Sequence, residues 1–173
     1  MGVALPHPRP LRVVVMGVAA SGKTTVAEGL AATLHATYLE ADTFHPEANI
    51  AKMSNGIPLT DEDRWPWLSA MRDALASADR VVVTCSALKK SYRDLLRSAG
   101  SVQFVFLAID RSLVHDRIAG RKGHFMTAQM VDSQFATLEV PGSDEPDVIA
   151  VDARMTVQEI VANYSEMLLE ASG

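Results

Sequence analysis

Residues 17–24 read Gly17-Val18-Ala19-Ala20-Ser21-Gly22-Lys23-Thr24 and fit the pattern G-x-x-x-x-G-K-[ST]. The run before them, Leu11-Arg12-Val13-Val14-Val15-Met16, reads as a buried strand, and residues 24–34 read as a helix. A strand that passes into a helix through glycines has few ways to fold. The glycines let the backbone curl until successive N–H groups point inward, a concave nest for anionic oxygens. The helix start adds unpaired N–H groups and the positive end of its dipole. The expectation is a phosphate-binding loop for a nucleotide such as ATP. Its candidate contacts are Gly17, Val18, Ala19, Ala20, Ser21, Gly22, Lys23, Thr24 and Thr25. Lys23 would reach the β- and γ-phosphates, and the Thr24 hydroxyl would ligate Mg²⁺. The loop leaves open which group receives the phosphate.

Apolar runs at residues 13–16, 37–40, 80–85, 102–109 and 147–151 alternate with helical patterns at 24–34, 61–78, 89–99, 113–121, 127–138 and 157–169. The apolar runs have no polar face, as expected of parallel strands buried on both sides. Strand and helix in alternation predict right-handed crossovers. The expected fold is therefore α/β, a three-layer, five-stranded parallel sheet. The chain of 173 residues is read as one domain over 11–173, after a short disordered lead-in over 1–10 with three prolines. A net charge of −5 argues against non-specific nucleic-acid binding. No apolar run approaches the roughly 20 residues of a membrane span. The single cysteine, Cys85, rules out an internal disulfide framework and suits a reducing cytoplasm.

Ligands of such sheets bind beyond the carboxyl ends of the strands. The second strand ends in Glu40-Ala41-Asp42-Thr43-Phe44-His45-Pro46. Asp42 is the candidate for positioning and deprotonating an acceptor hydroxyl, and Glu40 for orienting the metal's water shell. His45 could hold a hydroxyl or a carboxylate. The segment from Ala48 to Trp67 reads as an insertion, with a short helix ending at Asn55-Gly56 and another starting at Thr60. Asp63 lies at the capping-box distance from Thr60. Lys52 and Arg64 give the insertion two cations, and Trp65 and Trp67 read as packing residues.

The third strand opens into a basic helix start, where cations oppose the helix dipole. A bound anion would relieve that conflict, which makes Ser86, Lys89 and Arg93 candidates for an anionic acceptor. Further on, Arg117 and Arg121 share a helix face, and Lys122 and Gly123 follow. A cationic helix end followed by glycine suits a lid, expected over about 117–140, that brings charge to the transferring phosphoryl group.

At these residues the chain resembles a known family, the bacterial-type (thermoresistant) gluconate kinases. The matching stretches are the loop at 17–24 and the region from Asp42 to Trp67, notably Asp42-Thr43-Phe44-His45-Pro46, Lys52-Met53 and Asp61-Glu62-Asp63-Arg64. They continue in Cys85-Ser86-Ala87-Leu88-Lys89-Lys90, Arg121-Lys122-Gly123-His124-Phe125 and Gln134-Phe135. The resemblance implies a fold like that of the nucleoside monophosphate kinases, Mg²⁺, and ATP-dependent phosphorylation of D-gluconate at its 6-hydroxyl. It also implies a homodimer as a frequent assembly. Carried over by residue, Lys23, Asp42 and Arg121 are catalytic. Asp42, His45, Lys52, Arg64, Ser86, Lys89, Arg93 and Lys122 line the acceptor side, with the acceptor-binding insertion at about 43–68. Arg117 serves the nucleotide, Thr24 the metal, and Glu40 the metal through water.

Two positions depart from the family pattern. The family usually has Ser-Gly where this chain has Ala19-Ala20, and losing that glycine restricts φ where the backbone nears phosphate. The family usually has Asp-Gly where this chain has Glu40-Ala41, so the carboxylate sits one methylene further out. Alternative readings are a shikimate or nucleoside monophosphate kinase, or a non-catalytic nucleotide-binding regulator. The 42–67 segment and the 85–90 motif argue against the first two. Intact Lys23, Thr24 and Asp42 argue against the third.

Overall fold

A computed structural model describes residues 10–120 and 128–171 of the chain. Five strands, β1 (Leu11–Met16), β2 (Thr37–Glu40), β3 (Arg80–Thr84), β4 (Gln103–Ala108) and β5 (Val148–Asp152), form one sheet in the order β2-β3-β1-β4-β5. Every pairing is parallel. Along β1 the side chains alternate between two cores. Leu11, Val13 and Val15 face α1 (Lys23–Leu34) and, at the chain's end, α7 (Val157–Ala171). Val14 and Met16 face a second cluster, built with α3 (Asp61–Ser77) and α4 (Lys90–Arg97). The strands read as continuous apolar runs because both faces are covered.

The sheet order sets the location of the site. From β1 the chain crosses outward to β2, returns to β3 beside β1, then crosses β1 to β4 on its other flank. The carboxyl end of β1 is therefore the point where the winding reverses, and a crevice opens there. The phosphate loop occupies it. Helix α2 (Glu47–Ser54) and the start of α3 stand on one side of the crevice. Helices α5 (Arg111–Ala119) and α6 (Ala128–Thr137) stand on the other.

Local chemistry explains the boundaries. Helix α3 begins with a complete capping box: Asp63 N–H donates to Thr60 Oγ1 at 3.2 Å, and Thr60 N–H donates to Asp63 Oδ2 at 2.9 Å. Such a cap stabilises a helix by about 1 kcal/mol. Helix α2 stops at Asn55, ahead of Gly56 at φ +69°. The basic start of α4 relieves its dipole conflict internally. Lys89 pairs with Asp61 at 3.0 Å, Lys90 Nζ lies 3.3 Å from Asp144, and Glu139 Oε1 accepts from the Lys90 N–H at 2.9 Å. Carboxylates of the chain itself therefore supply the negative charge that the sequence reading assigned to a bound anion.

Candidate active site

The loop between β1 and α1 is shaped by its outer glycines. Gly17 has φ +146°, and a Cβ there would lie 3.1 Å from the Leu107 carbonyl oxygen of β4. Gly22, the N-cap of α1, has φ +97°. Between them Ala20 is also left-handed, at φ +61°. The conformation that a glycine takes freely is thus adopted by an alanine, at a cost of about 1–2 kcal/mol.

Lys23 bends back over this loop, and its Nζ donates to the Gly17 and Val18 carbonyls, each at 3.0 Å. Burial pulls its ammonium below the ordinary lysine value, while Asp42 and Glu40 act to hold the proton on. Thr24 Oγ1 donates to Glu40 Oε1 at 3.1 Å, and Tyr38 OH donates to Glu40 Oε2 at 2.6 Å. Burial, followed by the Glu40 hydrogen bond, pushes the Tyr38 phenol up to about 12, so it remains a donor. The end of β2 therefore delivers a fixed carboxylate to the start of α1.

Beyond Glu40 the chain makes a single 3₁₀ turn, Ala41–Phe44, which exposes Asp42 to the crevice. Trp67 stands under this turn: it is 3% exposed, and its indole Nε1 donates to the Ala41 carbonyl at 2.8 Å. His45 stacks on Trp67 with ring centroids 4.1 Å apart and planes inclined by 16°. Asn49 Nδ2 donates to His45 Nδ1 at 3.3 Å, leaving the ring proton on Nε2. Burial lowers the His45 pKa, with Asp42 opposing and Arg64 assisting, which keeps the ring neutral at neutral pH. Arg64 Nη1 donates to Tyr92 OH at 2.8 Å, and that hydroxyl donates in turn to Asp61.

A cavity of about 500 Å³ joins these groups. It is lined by Ala19, Ala20, Gly22, Lys23, Thr24 and Thr25 of the loop and the start of α1, and by Asp42, His45, Arg64 and Ser86, the last of which accepts from the Gly17 N–H through its carbonyl at 3.3 Å. Other expected site residues stand elsewhere. Lys52 pairs with Asp63 at 2.7 Å, and that ion pair, then the Thr60 amide, hold the Asp63 carboxyl down at about 2. Lys89 is tied to Asp61. Arg93 does not line the cavity. It is fully buried, with Nε 2.7 Å and Nη2 2.8 Å from the two oxygens of Glu145, and its remaining donors reach the Ala87 and Glu139 carbonyls. Its place is to tie α4 to the segment that follows α6.

Arg117 does not reach into open space above the loop. Its Nη1 donates to the Ala20 carbonyl at 2.8 Å and its Nη2 to the Ala153 carbonyl at 3.2 Å. Arg121, Lys122 and the 121–125 motif lie outside the described residues, as does nearly all of the 1–10 lead-in.

Three features of the cavity go beyond the sequence reading, which places Gln134 in a lid motif and Trp67 among the packing residues. Gln134 Oε1 accepts from the Ala19 N–H at 2.7 Å. Trp67 is both a core residue and the platform beneath His45. Ile50, Met53, Ile57, Pro58 and Leu59 form an apolar wall. For Gln134 a signal was present: Met130, Ser133 and Gln134 share one helix face at spacings of three and four.

Comparison with known proteins agrees with this geometry. A family model described as an AAA domain matches residues 13–141. The chain is 45% identical to the thermoresistant gluconokinase of Escherichia coli (strain K12), over 90% of this chain and 91% of that one. It is also 45% identical to the gluconokinase of Gluconobacter oxydans (strain 621H), over 90% and 92% of the two chains. The crystal structure of a gluconokinase from Sinorhizobium meliloti 1021 superposes with a TM-score of 0.86 at 46% identity, covering 94% of each chain. With identity of this level over nearly its whole length, the chain belongs to the gluconokinase family, built on an AAA-type phosphate-loop domain.

Proposed function

We propose that the protein transfers the γ-phosphoryl group of ATP to the 6-hydroxyl of D-gluconate, giving 6-phospho-D-gluconate. One observation carries the reading. Residues 42–67, which bear the family's distinctive motif, face the phosphate loop across a single cavity. Family membership selects gluconate over shikimate or a nucleoside monophosphate as the acceptor.

In this reading Lys23 leaves the Gly17 and Val18 carbonyls to hold the β- and γ-phosphates, and the loop amides of Ser21 to Thr25 cradle them. Thr24 and Glu40 fit a hard cation. They are two oxygen donors 3.1 Å apart at the start of a helix, enough for Mg²⁺, which keeps water and phosphate as its other ligands. Thr24 would hold the ion directly and Glu40 through water. The ion, when bound, neutralises charge on the phosphates. Asp42 accepts the proton of the 6-hydroxyl as it attacks. His45 Nε2–H and Ser86 hydrogen-bond the polyol. Arg64, which lines the cavity, pairs with the gluconate carboxylate. Lys52 and Lys89 act through Asp63 and Asp61, which hold the start of α3 that carries Arg64. Arg121 and Lys122 bring further charge to the transferring group. We assign the enzyme to the cytoplasm, where a lone thiol stays reduced, and to a homodimer that gel filtration would test.

The deciding experiment is an ADP-release assay with ATP and Mg²⁺ across gluconate, shikimate and AMP, with the product identified by mass. Turnover dependent on gluconate, yielding a singly phosphorylated hexonate, is expected. ATP binding without gluconate-dependent turnover, or equal rates with shikimate or AMP, would overturn the reading.

A further inference from the structure

The left-handed alanine of the phosphate loop is held from both sides. Ala20 has φ +61°, in a region that L-residues other than glycine enter at a cost. Such a conformation persists only where its surroundings over-determine it. Two side chains do so here. Gln134 of α6 accepts from the Ala19 N–H at 2.7 Å, and Arg117 of α5 donates to the Ala20 carbonyl at 2.8 Å. One bond fixes the amide on the N-terminal side of the Ala19–Ala20 step, the other the carbonyl just after it. Arg117 is itself anchored, because its second arm donates to the Ala153 carbonyl beyond β5 at 3.2 Å. A donor and an acceptor on adjacent residues, met by partners from two different helices, leave that stretch little freedom to rotate.

We propose that Arg117 and Gln134 are positioning residues that clamp Ala20 in left-handed backbone, so that an alanine loop keeps the shape a glycine loop would take unaided. Without the clamp the loop relaxes to ordinary backbone at Ala20, and its later amides turn away from the phosphates. The left-handed penalty for an alanine corresponds to a factor of about 5–30 in the population of the competent loop. Nucleotide affinity falls by the same factor, because binding-competent loops are that much rarer. The inference rests on the nucleotide-binding half of the proposed function and is independent of which acceptor is used.

A double-mutant cycle on ADP binding, read by calorimetry, tests it. Gln134→Ala should weaken ADP binding by about 5–30-fold. Arg117→Lys, which keeps the charge but loses the two-armed reach, should weaken it as well. Ala20→Gly supplies the reference background for the cycle, since glycine takes left-handed backbone without a clamp. In the Ala20→Gly background the Gln134→Ala loss should shrink to about twofold or less. Equal losses in the two backgrounds would show that Gln134 does not act through Ala20. Tighter ADP binding by Gln134→Ala would show that it competes with phosphate. Either result overturns the proposal, as does a strong loss from Ala20→Gly alone, which needs no stable Gln134 variant to measure. ADP binding requires no acceptor, so a failed clamp appears as an additive cycle, whereas a wrong acceptor appears as an inert gluconate arm in the ADP-release assay.

Discussion

The Thr24 hydroxyl donates to the Glu40 carboxylate at 3.1 Å, joining the start of α1 to the end of β2 across the mouth of the phosphate loop. The extra methylene of glutamate relative to the family's aspartate is accommodated by Tyr38, whose hydroxyl holds the other carboxylate oxygen at 2.6 Å. The carboxylate is therefore fixed from two sides beside the Thr24 hydroxyl, as its proposed part in the Mg²⁺ water shell requires. Glu40→Gln should raise the Mg²⁺ concentration required for half-maximal rate by about 10–100-fold, the usual cost of losing an outer-sphere partner. Tyr38→Phe should give a smaller shift in the same direction. A Mg²⁺ titration of the initial rate checks both, and an unchanged requirement in Glu40→Gln would remove the residue from the metal site.

Lys23 should be indispensable to turnover and dispensable to folding. Its ammonium donates to the Gly17 and Val18 carbonyls. Lys23→Ala therefore leaves two loop carbonyls to water, while it removes the positive charge that the proposed function places on the β- and γ-phosphates. Loss of one such preorganised group costs about 10²–10³ in rate. The expected outcome is kcat lowered by at least that factor, with a melting temperature within a few degrees of the native chain.

Asp42 stands exposed in the 3₁₀ turn, facing the loop, with the Trp67–Ala41 hydrogen bond holding that turn in place. As the base for the 6-hydroxyl, Asp42→Asn should lower kcat by about 10²–10⁴ and change the KM for ATP only a few-fold. A rise in the KM for gluconate with kcat preserved would limit Asp42 to holding the acceptor.

The five-stranded parallel sheet, the phosphate loop and the Thr60 capping box were legible because each is local. Strand runs, glycine spacing and a side chain three residues from its cap are properties of neighbours in sequence. The fate of the cations was not legible. Lys89, Arg93 and Lys90 look alike as a basic cluster. Their partners, Asp61, Glu145 and Asp144, lie 28, 52 and 54 residues away, and only the fold brings them together. Ala20 was legible as a departure from the family pattern. That it would take the glycine conformation anyway was not, because Gln134 lies 115 residues from the Ala19 amide it accepts from.

The buried pair of Arg93 and Glu145 should govern acid stability. Their side chains are 0% and 3% exposed, and Arg97 Nη2 adds a third bond to Glu145 Oε1 at 2.8 Å. Arg93 first, and then Arg97, hold the Glu145 carboxyl down at about 2, below its ordinary 4.5, against the opposing effect of burial. A carboxylate whose folded pKa is depressed stabilises the fold above its unfolded pKa. That stability is lost as pH falls through the folded value. The contribution of Glu145 is thus complete above about pH 4.5 and fades toward about pH 2. At neutral pH Glu145→Gln should destabilise the protein by about 3–5 kcal/mol, since it leaves a buried guanidinium without its charge partner. Urea unfolding of the two proteins, repeated down the pH scale, should show that gap closing through the same window. A gap constant with pH would mean that the substitution acts through packing and not through the ion pair.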